Sequence, residues 1–160
     1  MKYSKDLLVI LIVLILAAVG FIALETTLDK ENSHVDGNYN YALDTSTSFV
    51  TSDGDTISAP GGQLYIIADI ILMNIDWHSG ISDDPSYFEL EINGERVQAA
   101  SETNLYPPHS APTTYMPGEH GHNYYLFLVP AGTDKSDIHI IYTKSNKVTY
   151  DPTLTMPVLR

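Results

Sequence analysis

Two of this chain's six histidines alternate across a single glycine, in His120-Gly121-His122, directly after Glu119. Imidazoles two residues apart, with a carboxylate alongside, are donors for Zn²⁺ or Cu²⁺ once a further ligand converges. No H-E-x-x-H or comparable spacing fixes such a centre, and Pro117-Gly118 places the trio in an expected turn. Solvated loop histidines are therefore the competing reading, as they are for His78 and His109. Asp53-Gly54-Asp55 and Asp83-Asp84 offer oxygen ligands to Ca²⁺, which wants about six to eight of them. Aspartate also suits turns for backbone reasons alone, which explains the same residues without a metal. Asp69 is different, because it interrupts an otherwise apolar strand face and needs a basic residue or a tyrosine hydroxyl as partner. Nucleophilic catalysis has no support: G-x-S-x-G, S-x-x-K and cysteine are all missing, as are phosphate-cradling glycine loops. The expectation is a protein that is not an enzyme and carries no cofactor.

The elements that must position these residues read as short strands from Tyr39 onward, punctuated by turn signals at Asp53-Gly54-Asp55 and Pro60-Gly61-Gly62. Asn38 to Leu43 is a first strand. Gln63 to Trp77 is the strongest, with Leu64, Ile66, Ala68, Ile70 and Leu72 defining a core face at period two. Its odd positions Tyr65, Ile67, Ile71, Met73 and Ile75 are apolar as well, which marks a central strand covered on both faces. Ser86 to Ile92 alternates cleanly, and Asn93-Gly94 reads as a type I′ turn into Glu95 to Ala99. Leu105 to Pro117 holds four prolines and reads as an irregular crossing loop. Asn123 to Val129 is a second strand apolar on both sides. Asp137 to Tyr142 places Ile138, Ile140 and Tyr142 on one face, and Lys147 to Tyr150 extends the pairing. Seven or eight short strands in this length predict an all-β, immunoglobulin-like antiparallel sandwich over 39–160.

Two doubly apolar strands raise the question of what covers their outer faces. Unless loops of this chain do so, Tyr65, Ile67, Ile71 and Met73 form an interaction surface for a protein partner or a second copy. The eleven tyrosines suit contact surfaces too, and Tyr106 and Tyr115, set among prolines, are the best exposed candidates.

Ahead of the strands lies LLVILIVLILAAVGFIAL, residues 7–24, eighteen apolar residues without a charge. As a helix it would cover roughly 27 Å, close to a hydrocarbon core of about 30 Å. The segment is read as an N-terminal transmembrane helix contacting the lipid bilayer along 7–24, through side chains such as Leu7, Leu11, Leu14, Ala18 and Phe21. Lys2 and Lys5 precede it and Glu25, Asp29 and Glu31 follow, which places the N-terminus in the cytoplasm and the β-domain outside. A cleaved signal peptide, cut after Gly20, is the rival; it would make the domain secreted. Residues 25–38 form a polar stalk or a short continuation of the helix. Lys5-Asp6 stands where pilin-like processing would need a small residue, which weighs against that route to a surface filament.

Beyond residue 24 the chain holds six basic and nineteen acidic residues, a formal charge of −13. Nucleic acid is an improbable partner for that surface. An exported domain with no cysteine must be stable without disulfides, and about 120 residues can bury an adequate core.

Three segments, GGQLYIIADIILMN, FELEINGERV and MPGEHGHNYYLFLVPAGTDKSDIHIIY, together resemble the telokin-like, immunoglobulin-type domain of unknown function numbered 4352. The family's glycine-led strand falls on Gly62 to Asn74, and its Phe-x-Leu hairpin on Phe88 and Leu90. Its Pro-Gly-Glu turn falls on Pro117-Gly118-Glu119, and its last two strands on Phe127 to Pro130 and Ile140 to Tyr142. The resemblance covers roughly residues 39 to 145. It implies an extracytoplasmic immunoglobulin-like fold, held to the membrane of a bacterium or archaeon, and carries no catalytic residues. The family's lipid-anchoring cysteine is missing, so the anchor would be the helix. Together these readings give a membrane-anchored binding or interaction module at the cell surface. A structural subunit of a surface filament or envelope assembly is the alternative, and a divalent-metal protein using the loop histidines a third.

Overall fold

Alternating apolar side chains, interrupted by Gly, Pro and Asp, fold here as strands throughout. A computed structural model describes residues 35–76 and 78–155. The expected anchor over 7–24 lies outside the described residues, as do Trp77 and most of the expected stalk. The chain divides between residues 34 and 35 into two units, and the strands belong to the second. Its elements are β1 (Gly37–Ser46), β2 (Ser48–Val50), β3 (Thr56–Ser58), β4 (Gln63–Asn74), β5 (Ile81–Ser82), β6 (Phe88–Ile92), β7 (Glu95–Gln98), β8 (Thr114–Tyr115), β9 (His120–Pro130), β10 (Ile138–Tyr142) and β11 (Val148–Tyr150). Three short 3-10 segments, Pro85–Tyr87, Ser101–Leu105 and Lys135–Asp137, connect them. No helix among the described residues is long and apolar enough to cross a membrane.

The main sheet has the order β11-β1-β4-β9 and a second sheet the order β10-β6-β7. Two ribbons, β2-β3 and β5-β8, complete the set. β4 is central, as its two-sided apolarity predicts: it pairs with β1 along Gly37↔Asn74 to Ser46↔Tyr65 and with β9 along Gln63↔Pro130 to Met73↔His120. One pairing departs from the expected antiparallel pattern, since β11 runs parallel to β1. The β6–β7 hairpin turns on Asn93 and Gly94 with φ of 52° and 81°, the two positive values a type I′ turn requires.

Each strand of the main sheet sends alternate residues to a core shared with the second sheet. Ile66, Ala68, Ile70 and Leu72 of β4, with Tyr125, Phe127 and Val129 of β9, meet Phe88, Leu90, Ile138, Ile140 and Tyr142. The fully buried Phe88 ring lies 4.8 Å from Tyr125 and 5.2 Å from Tyr142, centre to centre. Tyr39 crosses between the sheets and donates its hydroxyl to the Ile140 carbonyl at 2.7 Å. Burial pushes the phenols of Tyr39 and Tyr142 up to about 12.

Candidate functional site

Register fixes what stands on the other face of the main sheet. Asn38, Asn40, Ala42 and Asp44 of β1 lie beside Met73, Ile71, Asp69 and Ile67 of β4. These in turn lie beside His120, His122, Tyr124 and Leu126 of β9. The chain itself covers one half of this face. The β2–β3 hairpin and the Ser101–Leu105 segment lie over Tyr65, Leu126 and Leu128, and Phe49 sets its ring 5.5 Å from both Tyr65 and Tyr106. The other half, with Ile71 and Met73 flanked by asparagines and histidines, is half-exposed.

Two residues expected on an interaction surface are therefore corrected. Tyr65 is 0% exposed beneath the hairpin, and its buried hydroxyl has no hydrogen-bond partner among the described residues. Tyr115 is also buried, because its ring turns inward from β8 instead of outward from the proline loop. Ile67, Ile71, Met73 and Tyr106 keep partial exposure, and Ile67 packs against the hairpin cluster.

At the boundary of the two halves a cleft of about 370 Å³ is lined by Ala42, Leu43, Asp44, Ile67, Asp69, Tyr106 and Tyr124. The Tyr106 and Tyr124 rings stand 6.0 Å apart. Burial first, and then the nearby carboxylates, push both phenols up: Asp44 and Asp69 act on Tyr106, and Asp69 on Tyr124. The cleft is thus acidic and aromatic, a combination suited to a cationic group. Asp69 has a basic partner of the expected kind, the Nε2 of His122.

The histidines do not lie in a turn. The turn closes at Pro117-Gly118, and β9 begins at His120, so His120 and His122 project from one strand face. Glu119 takes no part with them, since its carboxylate accepts the Met116 N–H at 2.7 Å. Among the described residues no three His, Cys, Asp or Glu side chains form a group that could hold a metal ion. His109 points Nδ1 at the Tyr124 carbonyl at 2.8 Å, and His78 Nδ1 lies 3.3 Å from Asp76.

Asp83 and Asp84, adjacent in sequence, part completely. Asp84 caps the Pro85–Tyr87 segment by accepting from Ser86 N at 2.9 Å, and the Ser86 bonds hold its carboxyl below the usual range. Asp83 is buried and accepts from Tyr115 Oη at 2.8 Å, Asn123 Nδ2 at 3.1 Å and Thr113 N at 2.5 Å. Asn123 also exchanges hydrogen bonds with both backbone groups of Ser110. This knot straps the proline loop along the free edge of β9. Ala100 N donates to Leu126 O, and Leu126 N donates to Thr103 Oγ1, which covers that edge further along. Burial, with Asp83 adding to it, pushes the Tyr115 phenol up.

The knot also explains the glycine between the histidines. A Cβ at Gly121 would overlap the Tyr115 hydroxyl and ring, so only glycine lets Tyr115 reach Asp83 across β9. Nothing in the local sequence around Asp83, Asn123 or Gly121 announces this role, because each partner arrives from a distant segment.

No protein-family model, no curated protein and no solved structure matches the chain.

Proposed function

We propose that the chain is a membrane-anchored, extracytoplasmic immunoglobulin-like β-sandwich, not an enzyme, that acts as a binding module through the open half of its main sheet. The observation that carries the reading is the division of one sheet face. The chain buries Tyr65 and Leu126 under its own hairpin, yet leaves Ile71 and Met73 half-exposed beside an acidic, tyrosine-lined cleft. Aliphatic and aromatic groups set beside polar ones make a contact surface. With −13 of formal charge beyond residue 24, the partner is a protein that presents a basic side chain to Asp44 and Asp69. The anchor and the outward orientation draw on the apolar run 7–24 and its flanking charges. The segments that resemble the domain family numbered 4352 fall in order on β4, the β6–β7 hairpin, β9 and β10.

A photo-crosslinking residue placed at position 71 or 106 in the native membrane tests the reading. Adducts to another protein at both positions, and none from the remote, exposed Glu95, are expected. Absence of adducts from the open face overturns it. Adducts to a second copy of this chain would instead establish the assembly subunit, which the half-exposed Ile71 and Met73 also favour.

A further inference from the structure

We propose that His120, His122 and Met73 form a copper-binding site on the open face of the main sheet, independent of any protein partner. His120 stands directly opposite Met73 across the β4–β9 ladder, and His122 opposite Ile71, so the three side chains share one face. Residues two apart on a strand are separated by roughly 7 Å, and opposite residues have Cβ atoms about 4.5–5.5 Å apart. Two imidazoles and an unbranched thioether reach one ion from those positions, with metal–nitrogen distances of about 2.0 Å. The third donor is a methionine thioether, outside the His, Cys, Asp and Glu side chains that, among the described residues, form no group of three.

A second observation points the same way. Asp69 holds Nε2 of His122, and the Tyr124 ring lies 4.7 Å from the imidazole in an edge-on contact. A carboxylate on one ring nitrogen fixes the tautomer and leaves the other nitrogen, Nδ1, with its lone pair for a metal. Beneath the pair, Gly121 seats Tyr115 against the buried Asp83, so the strand that carries the histidines is anchored from below. His120 itself is exposed and pairs with Met73 in register. Imidazole with thioether selects copper over Ca²⁺ and Mg²⁺, which want oxygen, and gives Cu⁺ a soft donor that Zn²⁺ has less use for. The acidic surface raises the local cation concentration.

The test uses the full chain in mild detergent. Cu²⁺ is supplied from glycine buffer and followed by electron paramagnetic resonance; Cu⁺ is supplied under reductant in competition with bicinchoninate. One copper per chain with two coordinated nitrogens is expected. His120→Ala and His122→Ala should each weaken Cu²⁺ at least about tenfold and remove one nitrogen. Met73→Leu should weaken Cu⁺ about tenfold and leave Cu²⁺ within about twofold. Asp69→Asn, a positioning change, should weaken Cu²⁺ by about tenfold with both nitrogens retained. Glu119→Gln, His78→Ala and His139→Ala should bind as the parent does. Copper that stays bound in the His120→Ala, His122→Ala double variant, or that glycine removes from the parent, overturns the proposal. Since Tyr106→Ala would disturb a protein contact but not this donor set, failure of one reading leaves the other standing.

Discussion

Gly121→Ala is the sharpest test of how this domain is held together. In an ordinary strand the change is mildly favourable, by about 0.5–1 kcal/mol, because alanine loses less backbone freedom on folding. Here the new Cβ would occupy the space of the Tyr115 hydroxyl and ring. Those atoms belong to a buried side chain tied to Asp83 at 2.8 Å, so the clash cannot be relieved by a surface rotamer. Expelling Tyr115 removes a hydrogen bond to a buried carboxylate, about 1.5–3 kcal/mol. It also exposes an aromatic ring worth about 1.5–3 kcal/mol of burial. After the small backbone gain the net loss is about 2–5 kcal/mol. Urea denaturation of the full chain in mild detergent, followed by far-ultraviolet circular dichroism, measures it. A double-mutant cycle with Tyr115→Ala isolates the cause: in that background Gly121→Ala should cost less than about 1 kcal/mol. A loss below about 1 kcal/mol in the parent, or equal losses in both backgrounds, would refute the reasoning.

Asp83→Asn keeps the volume but turns an amide donor toward a ring of donors, and should cost about 2–4 kcal/mol by the same urea assay. Alkali should unfold the domain. Tyr39 and Tyr142 hold their protons up to about 12, so their contribution is complete below pH 10 and is lost as pH rises from 10 to 12. Denaturation midpoints and tyrosinate absorbance, measured together across that range, check it, and a flat midpoint would count against it. Gly94→Ala, at φ 81°, should cost about 1 kcal/mol through backbone strain at the hairpin, read as a lowered urea midpoint with unchanged slope. On the open face Ile71→Ser should change stability by less than about 1 kcal/mol, whereas Ile70→Ala, one residue away and buried, should cost about 2–5 kcal/mol.

Local chemistry made much of the fold legible. Alternation at period two identified β4, β6 and β10, and the centrality of β4 followed from its lack of a wet face. Asn93-Gly94 specified its hairpin because few residue pairs tolerate two positive φ values in succession. What the sequence could not state was which partner each residue meets. Tyr65 and Ile67 look alike at odd positions of β4, yet Tyr65 is sealed under the β2–β3 hairpin while Ile67 keeps an edge on the cleft. The histidines looked like a loop, because Gly121 has a turn residue's identity; the glycine is there for the Tyr115 ring that crosses the strand.

Composition, the apolar run 7–24 and the strand periodicity belong to the sequence itself, since each depends on neighbours within a few residues. The burial of Asp83, its parting from Asp84, the division of the sheet face and the meeting of Met73 with His120 belong to the tertiary structure. Each joins segments some thirty to fifty residues apart, as in Tyr115 to Asp83 and Asp69 to His122. Long-range register decides such meetings, and register is set by the packing of the whole domain.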